Sequence, residues 1–135
     1  MLDQRRILVQ KIAMSKVVSI HPYFKVHPEK MEEFRKILDQ FVEATAKEDG
    51  CLWYDFTMSG DVVHCREAYD GAEGLLAHAD NVGSIIGEAL GISDLLRLEI
   101  HAAKEEIEKL KEPFAELSPE YYEFQLGIGK PEPTV

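Results

Sequence analysis

The side chains best suited to acid–base chemistry in this chain fall in four β-prone runs. His21 and Tyr23 lie in the first, Trp53 and Asp55 in the second, His64 and Arg66 in the third, and His101 in the fourth. An imidazole titrates near neutrality and can serve as a general base. Arg66, two residues beyond His64 on one strand, would sit about 7 Å away on the same face. There it can hold the anion that such a base creates. His64, Arg66 and Asp55 are therefore the candidate catalytic set, with Asp55 orienting the imidazole. Trp53, Tyr23, His21 and His101 are the candidate substrate-binding residues. This set suits a planar, acidic molecule such as a phenol or quinol. Plainer roles stay open: Trp53 stacked on Arg66 as a cation–π pair, or histidines held at an interface by Asp55, Glu99 and arginines. A metal bound by His21, His64 and His101 is conceivable on neighbouring strands, but no cofactor is expected.

These residues depend on one stretch for their position. Cys51 to Met58 and Asp61 to Tyr69 are two β-prone runs separated by Ser59-Gly60, which predicts a tight hairpin. With Ser59-Gly60 as the loop, Phe56 opposes Val63, Tyr54 opposes Cys65 and Leu52 opposes Glu67 on a mainly apolar face. On the other face Asp55 opposes His64 and Trp53 opposes Arg66. Cys51 and Cys65 then lie on opposite faces and read as two small hydrophobes without a disulfide. Glu67 falls on the apolar side, where it needs a partner or lines a pocket beneath the helices with Tyr54 and Tyr69.

Lys16 to Val26 alternates as a first strand, with Pro22 implying a bulge or a locally unpaired position. Pro28 and Glu29 announce a helix with Met31, Phe34, Leu38, Phe41 and Val42 along its apolar stripe. Asp70 to Glu73 has the form of a capping box and starts a second helix. Asn81-Val82-Gly83 is expected to break that helix, with a second helical piece from Ser84 to Leu90. Leu95 to Ala103 alternates as a fourth strand, with Leu96, Leu98 and Ile100 on one face. A charged helix over Lys104–Lys111 and a strand over Glu120–Leu126 follow.

The order β-α-β-β-α-β is the ferredoxin-like α+β arrangement, with strand order 4-1-3-2 and an extra C-terminal helix and strand. The face away from the helices is too apolar for solvent and too polar for a core. Packing it on a second copy, as a dimeric α+β barrel, would resolve that conflict. Residues 1–15 read as an N-terminal extension, 16–126 as the domain and 127–135 as a flexible tail.

At 135 residues the chain is expected to form one domain, and 45% hydrophobic content is that of a globular protein. A net charge of −10 argues against nucleic acid and anionic membranes as partners. No apolar run approaches the roughly 20 residues that span a bilayer. A cytoplasmic homodimer acting on a small aromatic molecule is the expectation.

Three segments carry a family resemblance. Val26-His27-Pro28-Glu29-Lys30-Met31-Glu32-Glu33-Phe34 resembles the strand-to-helix entry of the antibiotic biosynthesis monooxygenase (ABM) domain family. Lys47-Glu48-Asp49-Gly50-Cys51-Leu52-Trp53-Tyr54 is similar to its glycine-led aromatic strand. Glu67 to His78 is similar to its acidic-aromatic strand end leading into a helix with an Ala-His pair. The resemblance implies a homodimeric α+β barrel with pockets between sheet and helices or inside the barrel. Some members oxidise aromatic polyketides or quinols with dioxygen and no metal or flavin; others degrade haem, isomerise or decarboxylate. Here Tyr69 stands where tryptophan is usual, and Asn81-Val82-Gly83 replaces a short Ser/Pro-aromatic segment. The first strand lacks the asparagine of the haem-degrading members, so His78 and Trp53 alone do not support haem binding. A non-catalytic ligand-binding or dimerisation module on the same scaffold is the alternative.

Overall fold

The computed structural model of the chain describes residues 16–129. The expected extension at 1–15 and residues 130–135 of the expected tail lie outside the described residues. Along the chain come β1 (Val17–Val26), α1 (Met31–Thr45), β2 (Cys51–Ser59), β3 (Val62–Asp70), α2 (Gly71–Gly91), β4 (Ser93–Ala102), α3 (Lys104–Leu110), a 3₁₀ turn (Ala115–Leu117) and β5 (Glu120–Glu123). The sheet order is β2-β3-β1-β4-β5, antiparallel except for β5, which runs parallel to β4. This is the ferredoxin-like α+β arrangement, and the last strand extends the chain's own sheet. The sheet is open, with its helices on one face.

Alternation in β1 sends Val18, Ile20, Pro22, Phe24 and Val26 under the helices and leaves Ser19, His21 and Tyr23 half-buried on the open side. Pairing of β1 with β3 runs from Val17 to Ile20 and resumes at Tyr23, so the ladder lapses at Pro22, which has no N–H to give. In α1 the interior positions are Phe34, Ile37, Phe41 and Thr45. Val42, expected on the apolar stripe, faces solvent. Pro28 lies in the preceding turn rather than the first helical turn, and Glu29 takes φ 66° there.

Three irregularities correct the expected registers. The hairpin loop is Gly60-Asp61 with Ser59 opposite Val62, and Gly60 takes φ 60°, a conformation open to glycine without steric cost. All pairs therefore move by two: Asp55 opposes Arg66 rather than His64, and Tyr54 opposes Glu67. A bulge at Leu52 then sets Trp53 opposite Ala68 instead of Arg66 and pairs Cys51 with Tyr69. Cys51 thus shares the helix-covered face with Cys65, contrary to the expected opposite faces; both are unbonded thiols. In β4 a register shift turns Leu95 inward against both core clusters and leaves Leu96 55% exposed.

Helix α2 is continuous from Gly71 to Gly91, with no break at Asn81-Val82-Gly83. Tertiary contacts outweigh the weak local propensity. Val82 is fully buried, and the Asn81 amide donates to the Ala44 carbonyl and to Glu48 Oε2. The expected Asp70 cap makes no side-chain bond. Instead the Ala72 N–H donates to the buried Glu106 carboxylate of α3 at 2.8 Å, so this charged helix is more than a solvated face. A Cβ on Gly74 would meet the Gly50 carbonyl oxygen at 3.1 Å. That close approach docks α2 against the turn entering β2, one helical turn before His78.

Candidate active site between the sheet and the helices

The core divides into two clusters. One contains Val18, Ile20, Tyr69, Leu75, Leu98 and Ile100; the other contains Phe24, Phe34, Phe41 and Val63. Where they meet, beneath α1 and α2, lies a cavity of about 80 Å³. Its walls are mostly aliphatic and aromatic, with Phe114 and Leu117 from the 3₁₀ region contributing to the lining. Its ionisable lining consists of Tyr54, Cys65, Glu67 and His78.

Strand parity puts Glu67 under the helices with Cys65, and only 5% of it is exposed. Tyr69 Oη donates to Glu67 Oε1 at 2.5 Å. His78, on α2, is also 5% exposed, its Nε2 lying 3.5 Å from Glu67 Oε1. His78 Nδ1 donates to Glu48 Oε2 at 2.9 Å, and Asn81 Nδ2 donates to the same oxygen at 2.8 Å. A carboxylate accepts, so Nδ1 carries the proton and the Nε2 of the neutral ring presents its lone pair to Glu67. Tyr54 and Tyr69 flank the imidazole, at ring-centroid distances of 5.2 and 4.8 Å.

Burial separates these groups electrostatically, because a desolvated site disfavours the charged form. It pushes the Glu67 carboxyl up to about 7, partly offset by the Tyr69 and Cys65 hydrogen bonds. Burial draws His78 below its ordinary value, with Glu48 acting in the opposite direction. Tyr54, Tyr69 and Cys65 are all driven upward by burial, and so stay neutral in ordinary buffers. Burial thus biases Glu67 and His78 toward their neutral forms, the carboxyl by raising it and the imidazole by lowering it.

The residues singled out from sequence occupy the opposite, open face. Tyr23, His64, His21, His101 and Tyr122 form a row of rings across four strands, with successive centroids 4.2, 5.9, 4.6 and 4.5 Å apart. His64 Nδ1 donates to the Pro22 carbonyl at 2.8 Å, beside the lapse in the ladder. His101 pairs with Glu99, and His21 with Ser19 Oγ. Burial and the neighbouring imidazoles draw His21 below its ordinary value. Asp55 binds Arg66 through two hydrogen bonds of 2.8 and 3.1 Å, and so orients the guanidinium rather than His64. Trp53 is 52% exposed. Among the described residues, no group of three or more His, Cys, Asp or Glu is arranged to hold a metal ion. None of the seven sequence candidates lines the cavity.

The profile of the antibiotic biosynthesis monooxygenase family matches residues 17–79, from β1 to one residue past His78. The solved structure of MupZ from Pseudomonas fluorescens is 34% identical, covers 89% of this chain and 99% of its own, and superposes with TM-score 0.82. The chain belongs to the antibiotic biosynthesis monooxygenase family. Lower-identity members of the fold include a conserved protein from Methanosarcina mazei Go1, 21% identical over 69% of this chain and 98% of its own, TM-score 0.62. A Chloroflexus aurantiacus protein provisionally assigned as an antibiotic biosynthesis monooxygenase is 19% identical over 63% of this chain and 90% of its own, TM-score 0.54. No protein of curated function matches the sequence. Among the described residues no helix is long and apolar enough to cross a membrane.

Within this family fold the sequence signal for the cavity was a carboxylate at an apolar strand position. Glu67 carried it. His78 gave no such signal, because one histidine in a helix reads equally well as a surface group.

Proposed function

We propose that this chain is a cofactor-independent monooxygenase for a small aromatic or quinol-type substrate, and that its chemistry takes place in the cavity beneath the helices. The observation that carries this reading is a buried carboxylate, Glu67, facing an apolar space, where burial pushes it up to about 7. A base of that kind removes a proton from a hydroquinone hydroxyl without being permanently charged. The resulting anion is electron-rich enough to reduce dioxygen. A C–O bond forms at a ring carbon, and the hydroperoxide then loses water. Hydroquinone and dioxygen thus give hydroxyquinone and water, with one oxygen atom in each product. Glu67 takes the first proton and returns it to the departing hydroxide. Phe41, Phe56 and Tyr54 supply the aromatic walls. The cavity is smaller than the roughly 150 Å³ that accepts benzene in other proteins, so entry requires outward movement of a lining side chain.

In the same reading the chain is a homodimer whose open sheet faces pack together. His64, Arg66, Asp55, Trp53, Tyr23, His21 and His101 then line the space between the sheets. The exposed Trp53 and Leu96 and the row of five rings support that arrangement. The test is turnover of one-ring hydroquinones under ¹⁸O₂. The expected product carries one heavy oxygen, and Glu67→Gln slows its formation roughly 10²–10⁴-fold. Saturable binding without oxygen uptake would instead make the chain a ligand-binding module.

A further inference from the structure

Once Glu67 has returned its first proton to the departing hydroxide, the hydroxyquinone product, a much stronger acid than the hydroquinone, leaves its own proton on Glu67, and a chain of close polar groups leads outward from there. His78 Nε2 is 3.5 Å from Glu67 Oε1, and His78 Nδ1 is 2.9 Å from Glu48 Oε2. Glu48 lies in the turn after α1 with 9% of its side chain exposed, and Asn81 on α2 is exposed. Asn81 Nδ2 ties Glu48 Oε2 to the Ala44 carbonyl through bonds of 2.8 and 3.0 Å. The Gly50–Gly74 contact fixes the distance between this turn and the helix. We infer that Glu48 is the outlet of a proton path running from Glu67 through His78 to solvent, with Asn81 as the positioning residue that holds the outlet in line.

Each transfer balances. A protonated Glu67 gives its proton to His78 Nε2, His78 gives its Nδ1 proton to Glu48, and solvent takes the proton from Glu48. Ring rotation or the reverse sequence resets the imidazole. The other titratable groups facing this path are Cys51 and Tyr54 from β2 and Cys65 and Tyr69 from β3. Burial drives all four upward, Cys51 to about 11, so they are not proton carriers at neutral pH.

The inference rests on the cavity reading, but two measurements separate their failures. The first needs no substrate. In full-length labelled protein, ¹⁵N shifts of His78 should report a protonated Nδ1 and a bare Nε2 at pH 8. The Nε2 resonance should then move with the same midpoint as the Glu67 carboxyl. An Nε2-protonated ring, or unlinked midpoints, overturns the path whatever the enzyme's activity. The second uses hydroquinone as probe. Glu48→Gln should keep KM and lower kcat about tenfold, a small part of what general acid–base catalysis supplies, and added formate should restore the rate. The milder Asn81→Ala should show a smaller kcat loss with the same rescue. An unchanged kcat, or a loss that formate does not repair, overturns the path. Absence of turnover in the unmodified protein overturns the proposed reaction, and the ¹⁵N measurement then decides the path alone.

Discussion

The two faces of this sheet carry similar ionisable residues in different environments. Four consecutive residues of β3 make the comparison: Cys65 and Glu67 point under the helices, while His64 and Arg66 point to the open side. Coverage by α1 and α2 desolvates Glu67 and His78, so one carboxyl and one imidazole have shifted titrations. On the open side, Arg66 and Asp55 satisfy each other while both remain accessible to water. Exposed pairs of this kind are screened and contribute little. The difference teaches that coverage by the helices, which strand parity gives Glu67 and denies its strand neighbours, is what raises a carboxyl here.

The largest expected effect tests the covered face. Glu67→Gln should reduce hydroquinone turnover roughly 10²–10⁴-fold, the range that a positioned base supplies, as read by steady-state kinetics. His64→Ala should have a much smaller effect. A comparable loss on both faces would break the distinction drawn between them.

The next effect is on stability. A carboxyl raised from 4.5 to about 7 by folding holds its proton more tightly in the folded state. Its contribution is fully present below pH 4.5 and is lost as pH rises through 7. Denaturant melts should therefore show Glu67→Gln becoming more stable than the parent above pH 7, by at most about 3 kcal/mol. Parallel pH curves for the two proteins would contradict the burial argument.

In the proposed homodimer, Trp53→Ala on the open face should weaken self-association about tenfold, the loss expected of a buried aromatic anchor. Monomer stability should barely change, since Trp53 is half-exposed in the single chain. Sedimentation across a concentration series measures this; an unaltered dimer constant would remove Trp53 from the interface. The smallest effect belongs to Tyr69→Phe. Its hydroxyl stabilises the ionised Glu67, so its loss should raise the Glu67 midpoint and move the acid limb of the activity profile to higher pH.

Much of the fold was legible because alternation and turn chemistry are local. The order of the first four strands, both main helices and the parity of His64 against Glu67 follow from the sequence. Registers were less accessible. Gly60-Asp61 and Ser59-Gly60 are both acceptable hairpin loops, and choosing the latter moved Asp55 from Arg66 to His64. The bulges at Leu52 and in β4 arise from packing, which periodicity does not encode. The continuity of α2 was hidden for a similar reason: Asn81 and Gly83 are poor helix formers, yet Val82 is fully buried and Asn81 is tied to Glu48. The polar set on the open face was readable because alternate positions along each strand share one face. The Glu67–His78–Glu48 path joins β3, α2 and the turn after α1, and only tertiary docking brings those three segments together.

The most direct test is a ¹³C titration of the Glu67 side-chain carboxyl from pH 4 to 9, assigned by difference against Glu67→Gln. A midpoint near 7 is the expected result. A midpoint in the ordinary carboxylate range, near 4.5, would mean that water reaches Glu67, and the covered face would lose its claim to the chemistry.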